Sequence, residues 1–182
     1  PSSRMTVIGV TGTNGKTTTS YLTKSIIDAS GNETGLIGTI QYQIGRRVIP
    51  AEETTPESVE LHRYFAEMLK SGISYAVIEV SSHALSQHLD YHTNIRNYRA
   101  EKLKLVRGLG PDGFAILNAD DNASKHFAAC TKARIVWYGI KKKNADVTAE
   151  ILQAGAATTR MFLNSPWGKV PIDLPLIGKH NV

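Results

Sequence analysis

Apolar residues along this chain fall in short runs whose spacing alternates between strand-like and helix-like. The first run, Val7-Ile8-Gly9-Val10, is continuous and predicts a strand. It breaks into Thr11-Gly12-Thr13-Asn14-Gly15, and a helical pattern then runs from Lys16 to Ala29. After a turn at Gly31-Asn32, the β-branched residues between Thr34 and Ile40 predict a second strand, and Gln41 to Ala51 reads as a polar connection. Thr55 as N-cap and Pro56 at the first helical position open another helix, since proline's fixed φ and missing N–H suit that place. Val59, Leu61, Phe65, Met68 and Leu69 supply its apolar face, and Gly72 ends it. Tyr75 to Val80 is a buried-type strand carrying a single acid, Glu79.

Further on, Thr93 to Val106 is helical in pattern, Gly108 to Gly113 turns the chain, and Phe114 to Asn118 predicts a strand. Ala119-Asp120-Asp121-Asn122 caps a helix through Cys130, and Ala133 to Tyr138 is a further strand. Strands and helices alternate up to this point, which predicts a parallel sheet with right-handed crossovers. After Lys143 only short strands follow: Val147 to Leu152, Thr158 to Leu163 and Lys169 to Leu174. The expectation is an α/β fold, a mostly parallel sheet flanked by helices, with a small antiparallel β meander near the C-terminus appended to the main sheet. With 182 residues the chain is sized for one such domain, 1–182.

Composition narrows the partners. The formal charge is +5 and Lys and Arg are scattered; the one dense run, Lys141-Lys142-Lys143, reads as a solvated turn. Anionic small molecules are expected, and no nucleic acid. A single cysteine, Cys130, excludes an internal disulfide framework and a cysteine-based zinc site. No run is apolar for the length of a membrane span or patterned as a secretory leader, so a cytoplasmic protein without a membrane partner is expected. The Pro1-Ser2-Ser3 start, close to a core strand, suggests a fragment.

The chemistry concentrates where the first strand meets the first helix. Gly12 and Gly15 are expected to take positive φ, so that successive N–H groups along Thr11, Gly12, Thr13, Asn14 and Gly15 face an anion. The N-terminus of the helix adds its partial positive charge at the same spot. Lys16 supplies a point charge for β- and γ-phosphates, and Thr17, followed by Thr18, supplies a hydroxyl that can ligate Mg²⁺. Val10 stands where the strict pattern G-x-x-x-x-G-K-[ST] has its first glycine, so the motif is a variant and the sheet is expected to be of P-loop type. The competing interpretation is an ordinary turn that opens a helix. Glu79, near the C-terminal end of a central parallel strand, lies where open α/β sheets place their ligands; an edge or solvent-facing glutamate is the alternative. Ser81-Ser82-His83 lacks the G-x-S-x-G elbow and the acid partner of a hydrolase.

Taken in order, Val10 to Thr18, Thr54-Thr55-Pro56-Glu57-Ser58, Glu79-Val80-Ser81-Ser82-His83, Leu89-Asp90-Tyr91-His92, Asn118-Ala119-Asp120-Asp121 and Gly178-Lys179-His180-Asn181 resemble the Mur ligase family. The Thr-Thr-Pro-Glu-Ser and Glu-Val-Ser-Ser-His stretches are most similar to the type that adds the third residue of the peptidoglycan stem peptide. The resemblance covers essentially the whole chain but only the family's central ATPase domain. It implies a three-domain amide-forming ligase that uses ATP and Mg²⁺, takes a UDP-MurNAc-dipeptide and an amino acid, and is a monomer. In such enzymes ATP phosphorylates a substrate carboxylate and an amine attacks the acyl phosphate, which requires several negative charges to be gathered and neutralised.

Carried over by position, Lys16 is the phosphate-contacting lysine, and Thr17 and Glu79 are ligands of the first metal. Thr54, Thr55, Ser81 and Gln87 fall where the muramoyl-peptide is contacted, and Asn181 falls in the segment that approaches the adenine. Lys102 matches a lysine that is carbamylated in the family, a change that turns a cation into an anionic oxygen ligand for a second Mg²⁺. A surface helical lysine is the alternative for Lys102. Glu53 replaces the Asn that usually precedes Thr-Thr-Pro. Between Gln87 and Leu89 an Arg-Val-containing connection and a further strand of the family pattern are absent, and His88 is either the residue after Gln87 or the metal-binding His before Leu89. Loss of such a strand would leave ladder groups unpaired on two neighbours. The competing functions are a folylpolyglutamate synthase-like ligase, a P-loop kinase or switch GTPase, and a nucleotide-binding module without ligase activity.

Overall fold

The computed structural model describes residues 1–81, 102–155 and 157–176. The chain divides into two units, Pro1–Lys102 and Leu103–Val182, each with its own five-stranded sheet.

In the first unit a 3-10 turn at Ser2–Arg4 leads into β1 (Thr6–Val10), α1 (Lys16–Ala29), β2 (Thr34–Ile37), β3 (Gln41–Ile44), β4 (Arg47–Pro50), α2 (Ser58–Lys70) and β5 (Tyr75–Glu79). The sheet order is β1-β5-β2-β3-β4. β5 runs parallel to β1 on one side and to β2 on the other, with Val10 opposite Glu79 and Ile37 opposite Ile78. Parallel neighbours and crossover helices leave no room for polar faces, and β2 and residues 76–79 of β5 are buried throughout. Leu36, Ile37, Ile73 and Val77 are essentially inaccessible, each burial contributing roughly 1.5–3 kcal/mol. Met68 of α2 fills the space that a Cβ on Gly35 would need, so helix and sheet meet closely there.

Two local expectations are revised. Gln41 to Ala51 is not a plain connection but an antiparallel hairpin, β3–β4, with Gly45 at φ 60 in its turn and Tyr42 and Ile44 facing the core. Its alternating polar residues, Gln41, Gln43 and the exposed Arg47, mask the period of two. The second helix begins at Ser58 rather than after Thr55, because the Thr55 hydroxyl is engaged with β5 instead of capping. Val59 is exposed, and Tyr64, Phe65 and Met68 form the buried face.

A helical stretch described over 102–107, labelled α3, runs from the last residue of the first unit into the second, which then holds β6 (Phe114–Asn118), α4 (Ser124–Ala128), β7 (Arg134–Gly139), β8 (Val147–Ala154), β9 (Thr159–Ser165) and β10 (Gly168–Leu174). The order is β10-β9-β8-β7-β6, parallel from β6 to β8 and antiparallel from β8 to β10. Among the described residues the meander extends the sheet of β6 and β7 and is not hydrogen-bonded to the sheet of β1–β5, to which it was expected to be appended. Val106, Ala115 and Ala133 pack with Leu109, Leu117, Phe127 and Ile135 as a small core. α4 is a short helix that starts after Ala123 without a side-chain cap and is shorter than the one expected through Cys130.

Within each sheet the two edges differ in composition. β4 carries Arg47 and Pro50 and β10 carries Lys169, Pro171 and Asp173, the residues that keep an edge strand from pairing with strangers. β1 and β6, the opposite edges among the described residues, are Thr-Val-Ile-Gly-Val and Phe-Ala-Ile-Leu-Asn, without charge or proline.

Candidate active site

The site grows from the C-terminal ends of β1, β5 and β2. β1 hands the chain to the loop, and Gly15 at φ 80 provides the left-handed residue that starts α1. Gly12 is not among the glycines with positive φ; its need for glycine is spatial, since a Cβ there would lie 3.3 Å from the Asn14 carbonyl oxygen. Lys16 Nζ donates to the carbonyl oxygens of Gly12 (3.1 Å) and Thr13 (3.4 Å), so the ammonium lies over the loop it follows. Thr13, Asn14 and Thr18 are exposed. The Thr11 hydroxyl is buried and without a hydrogen-bond partner, as is Ser20 on α1.

Glu79 ends the strand between β1 and β2 and is fully buried. Its Oε2 accepts from the Thr17 hydroxyl at 2.9 Å and from the Thr39 hydroxyl at 3.0 Å, and its Oε1 accepts from the Thr39 N–H at 3.3 Å. A Cβ on Gly38 would collide with Oε1, so glycine at the end of β2 makes room for the carboxylate. The edge-strand and solvent-facing alternatives for Glu79 are thereby removed.

Thr54 and Thr55 reach the same place. The Thr39 and Thr54 hydroxyl oxygens are in hydrogen-bond contact at 3.2 Å. Thr55 Oγ1 donates to the Glu79 carbonyl at 2.7 Å and accepts from the Ser81 N–H at 3.0 Å, replacing the ladder bonds that β5 loses as it ends. Lys16, Thr17, Thr54, Thr55, Glu79 and Ser81 thus share one end of the first sheet. Lys102, on α3, is 7% exposed and so is not a surface lysine. Gln87, His88 and Asn181 lie outside the described residues.

Thr39 and Gly38 are functional neighbours that the pattern of the sequence concealed. Both look like strand residues in Thr34 to Ile40, whereas the strand stops at Ile37. The available signal was a glycine followed by a hydroxyl at the end of an apolar run.

Thr17 and Glu79 oppose two hard oxygen donors across the junction of α1 and β5, the donor class that Mg²⁺ takes. No group of three His, Cys, Asp or Glu that could hold a metal occurs among the described residues. That is compatible with Mg²⁺, which binds through one or two protein ligands together with phosphate oxygens and water.

A family model described as the Mur ligase middle domain matches residues 10–88 and 85–182. The chain belongs to the Mur ligase family. It is 39% identical over 207 positions to the UDP-N-acetylmuramoyl-L-alanyl-D-glutamate–2,6-diaminopimelate ligase of Bacillus licheniformis, and 40% identical over 204 to the protein of that name from Halalkalibacterium halodurans. Both alignments take in 100% of this chain and 42% of the relative, so this Mur ligase domain spans less than half of their length. A solved UDP-N-acetylmuramoyl-L-alanyl-D-glutamate–2,6-diaminopimelate ligase superposes with a TM-score of 0.85 at 26% identity, over 97% of this chain and 40% of that one. The 207 positions aligned with the Bacillus protein exceed the 182 residues here by 25, and the two stretches matched by the family model meet at 85–88, where the departure between Gln87 and Leu89 falls. Among the described residues no helix is long and apolar enough to cross a membrane.

Proposed function

We propose that this Mur ligase middle domain binds MgATP for a cytoplasmic, monomeric enzyme that joins an amino acid to UDP-MurNAc-L-Ala-D-Glu through an acyl phosphate. The observation that carries the reading is the 2.9 Å bond between Thr17 at the start of α1 and Glu79 at the end of β5, with Lys16 beside it. It places a cation, a hydroxyl and a buried carboxylate around one loop of the kind that receives phosphates. The loop amides from Thr11 to Thr18 orient the phosphates, and Lys16 swings from the carbonyls of Gly12 and Thr13 onto the β- and γ-oxygens. Thr17 and Glu79 would hold Mg²⁺, which when bound neutralises phosphate charge.

Thr54, Thr55 and Ser81, together with Gln87, would bind the muramoyl dipeptide, and Asn181 would serve the adenine. The names of the relatives favour 2,6-diaminopimelate over lysine as the added amino acid. Carbamylated Lys102, with His88, would hold a second Mg²⁺; its burial is consistent with a group withdrawn from bulk water. The test is the intact protein incubated with MgATP and UDP-MurNAc-dipeptide, with and without diaminopimelate. Dipeptide-dependent ADP release and tripeptide formation are expected. Nucleotide binding with neither product would leave only a binding module.

A further inference from the structure

We infer that Tyr42, on the hairpin β3–β4, is a positioning residue that locks the main chain of Glu53 and so aims Thr54 and Thr55 at the substrate side of Glu79. The inference rests on the proposal that Thr54 and Thr55 face the muramoyl dipeptide. Tyr42 is 3% exposed, and its single hydroxyl meets both backbone groups of one residue. It donates to the Glu53 carbonyl at 2.6 Å and accepts from the Glu53 N–H at 3.3 Å. A phenol has one proton to give and lone pairs to accept with, so the two bonds use the group in both senses and fix the orientation of that residue. Burial, the largest influence on the phenol, pushes its pKa up, which keeps it a donor.

The clamp is itself anchored. The Tyr42 ring tilts against Tyr64 of α2 with centroids 5.4 Å apart, and the Tyr64 hydroxyl donates to Glu60 at 2.7 Å. Tyr42 therefore cannot follow Glu53 if that segment drifts. Downstream, the next two residues make the Thr54–Thr39 and Thr55–Glu79 contacts. Because Tyr42 reads residue 53 by its main chain alone, the clamp places no demand on the Glu53 side chain. The polar hairpin on the far side of β2 thus contributes to the site, because its buried tyrosine reaches across to the segment that enters it.

The experiment is Tyr42→Phe in the intact protein, which keeps the ring and deletes the hydroxyl. Hydrogen exchange at the amides of Glu53, Thr54 and Thr55 should accelerate at least about tenfold, while Val77 and Ile78 stay as they were. The KM for the muramoyl dipeptide should rise about tenfold with the KM for ATP unchanged. Unchanged exchange at 53–55 would overturn the clamp. Equal rises in both KM values, or a loss that simply follows a fall in melting temperature, would overturn the positioning role. Tyr64→Phe, which removes the bond to Glu60 but keeps the ring contact that anchors Tyr42, should leave 53–55 unaffected. An effect as large as that of Tyr42→Phe would mean that a general loosening of the hairpin against α2, not loss of the Tyr42–Glu53 bonds, sets exchange there, and would overturn the clamp. Thr54→Val checks the underlying reading separately. An unchanged KM for the dipeptide in that variant would remove the substrate assignment, and exchange at 53–55 would then decide the clamp alone.

Discussion

Two carboxylates, one in each unit, receive three hydrogen bonds apiece, and they are built for opposite ends. Asp120 in the second unit accepts from the backbone N–H groups of Ile140 (2.8 Å), Lys141 (3.0 Å) and Lys142 (2.9 Å). Those amides, Lys141 foremost, hold its carboxyl below the usual carboxylate range, against a smaller opposing effect of burial. Glu79 in the first unit is fully buried, and two of its three donors are threonine hydroxyls. A backbone amide cannot turn away, so Asp120 is committed to closing the turn after β7. A hydroxyl can rotate and offer its lone pairs to a cation, so the Thr17–Glu79 pair can open toward a metal without breaking the fold. The number of bonds to a carboxylate says little about its role; the kind of donor says more.

The largest effect is expected at the loop. Lys16→Ala should weaken MgATP binding by about 10–100-fold, the loss of one charge-assisted contact, with the melting temperature nearly unchanged. Calorimetric titration checks it, and unaltered affinity would remove Lys16 from the site. Next in size is a matched pair of glycines, since each carboxylate leans on one. In Gly38→Ala the new Cβ drives the Glu79 carboxylate from its three partners, which should cost about 1–3 kcal/mol of stability and also the metal dependence of binding. In Gly139→Ala the Cβ lies 3.2 Å from Asp120 Oδ1, a contact that small shifts absorb, so a milder loss without any change in nucleotide affinity is expected. Denaturant melts of the two variants, read beside MgATP titrations, separate the effects.

The smallest expected effect is in pH. Because the folded-state pKa of Asp120 lies below its ordinary value of 3.8, its contribution to stability is complete above that value and disappears as pH falls through the lowered one. Asp120→Asn should therefore flatten the acid limb of the stability profile there and leave nucleotide binding untouched. A profile indistinguishable from that of the parent would mean that the three amides are satisfied in some other way.

Much of the first unit could be read in advance because its features are local. The strand-loop-helix run from Val7 to Ala29 follows from an apolar stretch, a glycine at φ 80 and a helical period, and α1 has the expected ends. Glu79 was legible because a lone acid in a buried strand must have a purpose. The residues that give it one, Gly38 and Thr39, lie just past the end of β2, Thr39 being 40 residues from Glu79 in sequence, and leave no local mark. The hairpin β3–β4 was missed for a related reason: its buried faces are two residues, Tyr42 and Ile44, set among polar neighbours. The assignment of Thr55 as a helix cap followed a sound rule about threonine before proline, and a tertiary bond to the end of β5 took precedence. The division into two sheets could not be seen from the alternation of elements, since β1 and β6 carry apolar sequences without charge or proline, as inner strands do.

The central claim is that the carboxylate of Glu79 binds the nucleotide through a metal. It is tested most directly by titrating ATP into the parent and Glu79→Gln proteins with Mg²⁺ and again with the metal chelated. The amide keeps the shape and accepts the threonine hydroxyls through one oxygen, but it lacks the charge. The account predicts that affinity in Mg²⁺ falls by about tenfold or more while metal-free affinity stays the same. An equal loss in both conditions, or none in either, would contradict it.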